Sequence, residues 1–230
     1  MTLIRIKIFF SILIISTLSL FGVQAQAGVD GSPFEGLYVG FVTSKSTFSS
    51  TGSHLDAGIA DTPSVFNGIT SAKSKNSYGG GLFAGYGLNY GIFYTGAEAA
   101  FIIDKGSTTY SDGTTSIRFY KSNTFDINLR GGVTLSDKAL LFGLVGYTGV
   151  NLKSLGTNGQ KDQGGLDYNK RLTGIQFGGG VELAFMENIA IRAEYTRAHI
   201  NDIVYLNGSD EFTIKPKTSR IMLSVILHMY

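Results

Sequence analysis

Eight charged residues stand where chemistry could be done: the acids Glu98, Asp126, Glu182 and Glu194, and the bases Arg118, Arg130, Arg192 and Arg220. Each is expected on the polar phase of a segment that alternates polar and apolar residues. The clearest segment runs from Thr124 to Leu135. Thr124, Asp126, Asn128, Arg130, Gly132 and Thr134 alternate there with Phe125, Ile127, Leu129, Gly131, Val133 and Leu135. Successive side chains of a strand point to opposite faces. One face therefore wants hydrocarbon, and the other carries a carboxylate and a guanidinium. Charges held away from bulk water must pair or meet water. Two outcomes follow from four acids beside four bases: a closed, ion-paired plug, or a narrow gateable path for ions or solutes. Arg130 is expected to meet Glu98 across neighbouring strands, and Arg220 to meet Glu194.

Catalysis asks for more than charge. A nucleophile, or a water, needs a poised base. The three histidines are His54, His199 and His228. The first two fall in expected loops and the third is two residues from the end. None sits in a Ser/His/acid pattern. His199-Ile200-Asn201-Asp202 resembles a fragment of a protease acid/His pair, but a solvated loop histidine is the plainer account. There is no cysteine and no pair of histidines at metal-ligand spacing. The glycine runs lack the Lys-Ser/Thr that completes a phosphate loop. The chain is expected to be no enzyme and to hold no cofactor or metal. Glycines on the polar phase are better explained as room for bulky neighbours.

The elements that would position the eight charges are strands. The expected set is 34–43, 77–88, 92–103, about 118–135, 139–152, 171–185, 189–197 and 218 to the terminus. Polar stretches at 44–76, 104–117, 153–169 and 198–216 alternate with turns of three or four residues, such as Asn89-Tyr90-Gly91. In the strand over 139–152 both phases are apolar or glycine, so its inward side stays open. Tyr38, Tyr78, Tyr86, Tyr94, Tyr147 and Tyr195, near strand ends, suit aromatic girdles at a membrane interface.

A leader precedes these strands. Met1 to Lys7 is basic, Ile8 to Val23 is mostly apolar, and small-x-small patterns end at Ala25 and Ala27. This is the order of a cleaved secretion signal, too short for a spanning helix of ~20 residues. The expected domains are a signal peptide over 1–27 and one barrel domain over 28–230. Cleavage would remove Arg5 and Lys7 and no acid, leaving 17 bases against 17 acids. That balance carries no clustered basic footprint for nucleic acid. Charged residues are 16% of the chain, with 31 glycines, 16 phenylalanines, 12 tyrosines and only 3 prolines. A sheet that crosses lipid must close, because lipid satisfies no open edge. The expected fold is all-β: an eight-stranded antiparallel up-and-down transmembrane β-barrel with short periplasmic turns and four long extracellular loops.

The chain ends Arg220-Ile221-Met222-Leu223-Ser224-Val225-Ile226-Leu227-His228-Met229-Tyr230. Leu223, Val225, Leu227 and Met229 share an apolar face and Tyr230 closes the chain. Together with Gly79-Gly80-Gly81-Leu82-Phe83-Ala84-Gly85-Tyr86-Gly87, Tyr94-Thr95-Gly96-Ala97-Glu98-Ala99, Gly178-Gly179-Gly180-Val181-Glu182-Leu183 and Ile191-Arg192-Ala193-Glu194-Tyr195, this end resembles the eight-stranded outer-membrane β-barrel superfamily of Gram-negative bacteria. Within it the chain is similar to opacity-protein-like surface antigens and Omp25/Omp31-type barrels. The resemblance covers essentially the whole mature chain and is specific for architecture, not for activity. It implies an outer-membrane location and a C-terminal signal, Leu223, Val225, Leu227, Met229 and Tyr230, for the outer-membrane assembly machinery. It departs from the usual pattern in that Met229, not the terminal aromatic, holds the apolar phase. The implied partners are outer-membrane lipids, lipopolysaccharide and a host or surface ligand met by the loops. The expected role is a structural barrel or surface antigen. The alternatives are a small porin-like channel or ligand-binding barrel, and an outer-membrane lipid-modifying enzyme.

Overall fold

The computed structural model describes residues 32–55, 72–111, 116–155, 169–207 and 210–229. The leader at 1–27 and Tyr230 lie outside the described residues. Nine strands follow one another: β1 (Gly36–Leu55), β2 (Ala72–Tyr90), β3 (Phe93–Ser111), β4 (Ser116–Ser136), β5 (Ala139–Leu155), β6 (Asn169–Ala184), β7 (Ile189–Ile200), β8 (Ile203–Asn207) and β9 (Asp210–Met229). From β1 to β7 each strand pairs antiparallel with the next, β7 pairs with β9, and β1 pairs with β9 from Leu37↔Met229 to Leu55↔Glu211, closing the sheet.

β8 is not a ninth stave. β7 pairs with β9 up to His199↔Lys217, and β8 resumes the pairing at Ile203↔Ile214, one residue out of register. β7 and β8 are thus one stave broken at Asn201–Asp202, and the barrel has eight. Closure removes the two edge strands that an open sheet would present to lipid.

The sides are inverted relative to a water-soluble protein. Phe41, Leu129 and Leu223 are 72%, 62% and 57% exposed on the outer face, whereas Arg192 and Arg220 are among the largest fully buried side chains. An apolar belt outside and charges inside is what a bilayer and a polar lumen select. At the turn end, the connections are short. Gly91 adopts φ 61° between β2 and β3, where a side chain would be strained. The Thr134 N–H donates to Ile92 O at 2.8 Å, and the Phe185 N–H to Ile189 O at 2.8 Å.

The strands run much further than alternation predicts. Residues 104–117, expected as a loop, are mostly paired β3 and β4, from Gly79↔Asp104 on one side to Ser111↔Ser116 on the other. β1 reaches Leu55, and the stretch 198–216 holds the end of β7, all of β8 and the start of β9. Above the membrane both faces of the wall are wet, so the two-residue pattern fades. The hydrogen-bond ladder needs no apolar face and continues. A 20-residue strand rising ~3.3 Å per residue at a tilt of ~40° makes a wall about 50 Å tall, against an apolar belt of ~25 Å. The connections at 56–71, 112–115, 156–168 and 208–209 lie outside the described residues.

Two other expectations are corrected or completed. Tyr38 and Tyr94 are not girdle residues; they are buried inside, while Tyr78, Tyr86, Tyr147 and Tyr195 are exposed on the outer wall. Even-numbered residues of β5 face inward: Leu140, Phe142, Leu144 and Thr148 are buried, and Leu141, Val145 and Tyr147 are exposed.

Candidate functional site

The lumen is built from residues that alternation turns inward, and packing between staves decides which of them touch. Glycines set the width. A Cβ on Gly40 would overlap the Phe83 ring, and one on Gly85 would overlap the Tyr38 ring. Missing side chains on the wall thus admit aromatic rings into the barrel. Phe83, in phase with Gly81 and Gly85, is buried there.

Around those rings lies a chain of shared charges. Arg192 Nε donates to Glu182 Oε2 at 2.8 Å and Arg192 Nη1 to Glu98 Oε2 at 2.7 Å. Glu98 Oε1 accepts from Arg130 Nη2 at 2.9 Å, and that same nitrogen donates to Glu194. At the other end Glu182 Oε1 lies 2.9 Å from His228 Nε2. A carboxylate oxygen only accepts, so His228 carries its hydrogen on Nε2. Both guanidiniums also rest on aromatic faces. Arg192 lies 5.0 Å from the Phe83 ring centroid and 5.4 Å from that of Tyr38, and Arg130 lies 4.5 Å from that of Phe142. Such contacts add attraction when desolvated. Phe34 closes the turn end of the lumen in a cluster with Tyr94, Leu140, Phe142 and Leu144.

One level nearer the loops, Arg220 Nη2 donates to Asp126 Oδ2 at 2.6 Å and to Gln176 Oε1 at 2.7 Å, and Gln176 Nε2 donates to Asn128. Arg220 therefore pairs with Asp126 from β4, across the lumen, and Glu194 pairs with Arg130. The expected Arg220–Glu194 contact does not form. Higher still, Lys121 Nζ donates to Asp104 Oδ2 at 2.6 Å. Ser46 Oγ donates to the same oxygen at 2.7 Å, so the hydrogen between Ser46 and Ser77 belongs to Ser77.

Seven of the eight expected charges are thereby within reach of one another in the lumen. Arg118 is the exception. It lies in β4 opposite Leu155, and its side chain is outside the described residues. Further along β4 the register shifts between Lys121 and Thr124, and both of those residues are buried. One extra residue in a bulge exchanges the faces, so Lys121 occupies the lumen. Asp104, Lys121, Gln176 and the ring of His228 are the lumen residues that the charge list missed. Asp104 was legible in the even phase Glu98, Ala100, Ile102, Asp104; Lys121 was hidden by the bulge.

The other histidines stand apart. His199 is on the outer face, its ring stacked 5.7 Å from that of Phe177, and the His54 side chain lies outside the described residues. Among the described residues no group of His, Cys, Asp and Glu could hold a metal ion. On the outer face, Ile221, Leu223, Val225 and Leu227 are exposed in one row with Met229 at its end.

Similar folds occur among solved structures. Neisserial surface protein A is 15% identical over 85% of this chain and 98% of its own, with a TM-score of 0.46. The outer membrane protein OprG from Pseudomonas aeruginosa is 14% identical over 85% and 97%, with a TM-score of 0.46. Ail, the attachment invasion locus protein of Yersinia pestis, is 14% identical over 82% and 99%, with a TM-score of 0.40. No curated protein sequence matches the chain significantly. Residues 13–226 match the outer membrane protein β-barrel domain, and the chain belongs to that family of outer-membrane proteins.

Proposed function

We propose that this outer-membrane barrel is a structural and surface-displaying protein with a closed lumen, whose extracellular connections serve envelope integrity or contact with a host or another surface. One observation carries the proposal: the lumen is filled at the level of the shared charges. The void among Glu98, Asp126, Arg130, Arg192 and Glu194 is about 20 Å³, room for about one water. A lumen closed at this level offers no path for a solute, so contact with partners falls to the loops, which carry function on rigid scaffolds. The porin-like and lipid-modifying alternatives would need an open path or a reacting centre.

Deletion of residues 56–71 tests this directly. Cells displaying the deletion variant should bind surfaces or host cells several-fold less than cells displaying the full chain, with barrel folding unchanged. Equal binding by both would reject the loop role. In the same proposal, residues 1–27 are a removed signal peptide over a barrel domain of 28–230, and N-terminal sequencing of the outer-membrane form should begin near residue 26 or 28. Leu223, Val225, Leu227, Met229 and Tyr230 address the chain to the assembly machinery. Replacing Met229 and Tyr230 by Ser should cut outer-membrane levels in cells while leaving refolding into detergent intact.

A further inference from the structure

Residues 32–35 stand ahead of the barrel wall and reach into its turn end. Ladder pairing of β1 starts at Gly36↔Gly87 and Leu37↔Met229, so Ser32, Pro33, Phe34 and Glu35 belong to no stave. Their order, serine first and proline second, suits a tight turn. The Glu35 N–H donates to Ser32 O at 3.3 Å, and the Phe34 N–H donates to Ser32 Oγ at 3.4 Å. Gly36 then takes φ 95°, which a side chain would strain, and the chain passes into the wall. Phe34 is thereby held inside the mouth, 1% exposed. Its ring stands edge-on to that of His228, centroids 6.3 Å apart, and packs with Tyr94, Leu140, Phe142 and Leu144. Behind it His228 meets Glu182, the first carboxylate of the shared network. The wall makes room for the segment: a Cβ on Gly87 would lie 2.5 Å from Phe34 O. Asn89, near the end of β2, donates through Nδ2 to Ser32 Oγ and clasps it.

We infer that residues 32–36 are a strap with Phe34 as its stopper: hinged at Gly36, it swings out of the turn-end mouth and back while the eight staves stay closed. Swinging out breaks no bond of the ladder. It gives up the clasp and the burial of one ring, whereas parting two staves would break a ladder from end to end. Segments held in this way open before the elements they cover. The open strap admits water and small periplasmic solutes as far as Leu140 and His228. The Arg192 and Arg130 ion pairs lie beyond and stay in place. The lumen therefore has two barriers in series, one movable at the mouth and one fixed behind it. Conduction through the lumen concerns the fixed barrier alone, so this inference and the proposed closure by charges fail separately.

The chain has no cysteine, so single cysteines report access. Leu140→Cys places a thiol behind the stopper, and Ile102→Cys places one on the loop side of the shared charges; both positions are 1% exposed. The mature chain is refolded in a neutral detergent and treated with a small, water-soluble methanethiosulfonate, and labelling is followed by mass spectrometry of peptides. Its rate tracks the open population when opening and closing are fast. Phe34→Ser should raise the Leu140→Cys rate at least about tenfold, because a buried phenyl ring no longer holds the strap. Ser32→Cys with Asn89→Cys, oxidised to a disulfide, pins the strap and should slow Leu140→Cys labelling at least about tenfold against the reduced form. Leu37→Ala, on the outer face of the same stave, should change nothing. The Ile102→Cys rate should stay the same throughout. Heat-modifiable migration certifies that each variant is folded, and Leu144→Cys, from the same cluster, replaces Leu140→Cys if that variant does not refold. A rate indifferent to Phe34→Ser would overturn the stopper, as would a Leu37→Ala rate equally high. Equal rates in the oxidised and reduced forms would overturn the swing. An Ile102→Cys rate that rises in step with Leu140→Cys would mean that the whole barrel opens, and would overturn the strap.

Discussion

The two ends of the lumen are tied by different constructions. Near the turn end, charges are shared: Glu98 accepts from both Arg130 and Arg192, and Arg192 serves both Glu98 and Glu182. Near the loop end, one ammonium meets one carboxylate, Lys121 to Asp104, and hydroxyls supply the rest. A shared network gives each member several partners, so one deletion strands several groups. A pair backed by hydroxyls strands only one, and that one keeps neutral donors. Both are buried, but the first is staked on its central cation and the second is not.

Substitutions at the two ends test that contrast. Arg192→Met should have the largest effect. It removes two ion pairs at once from a site where Arg192 is 2% exposed, and breaking buried pairs costs about 3–5 kcal/mol. The urea midpoint of the barrel refolded in lipid vesicles would report it; a loss no larger than that of Lys121→Met would contradict the contrast. Lys121→Met should cost less, about 2–3 kcal/mol, since Asp104 keeps its Ser46 and Thr124 hydroxyls. Adding Asp104→Leu should recover most of that loss, because an apolar pair of similar volume can replace a buried ion pair. If the double variant is less stable than the single one, the upper pair contributes more than its charges cost. Gly85→Ala should cost about 1–2 kcal/mol by overpacking Tyr38 beneath the shared network. Gly131→Ala is the control: nothing lies within 4 Å of a Cβ there, and its midpoint should stay put.

The same contrast separates what was legible in the sequence. The turn-end network lies where the wall crosses lipid. There every second residue must be apolar, so Glu98, Asp126, Arg130, Glu182, Arg192, Glu194 and Arg220 declared their side by phase alone. The pair on neighbouring strands, Arg130 with Glu98, was legible and forms; the partners across the lumen were not. Alternation states a face, not a height around a tilted barrel, and so Arg220 reached across to Asp126 and not to Glu194. At the loop end lipid no longer imposes a pattern. Asp104 continues the even phase of Glu98, Ala100 and Ile102 but fell in the stretch expected as a loop, and Lys121 was hidden by the bulge beside it. Strand β5 was silent for another reason: its lumen side is apolar, with Leu140, Phe142 and Leu144 facing guanidiniums and rings, so neither phase looked wet. The tyrosines misled because Tyr38 and Tyr94 sit near strand ends like interfacial rings, yet the glycines opposite them make room inside.

The proposed role of these charges is to close the barrel, so that it conducts nothing. Planar-bilayer recording of the refolded mature chain tests it most directly. The closed network predicts no stable single-channel steps at either polarity, and none on Arg130→Ala beyond irregular leak from a destabilised barrel. Stable unitary conductance in the unmodified protein, changed in size or ion selectivity by Arg130→Ala, would contradict the claim and make the lumen a path.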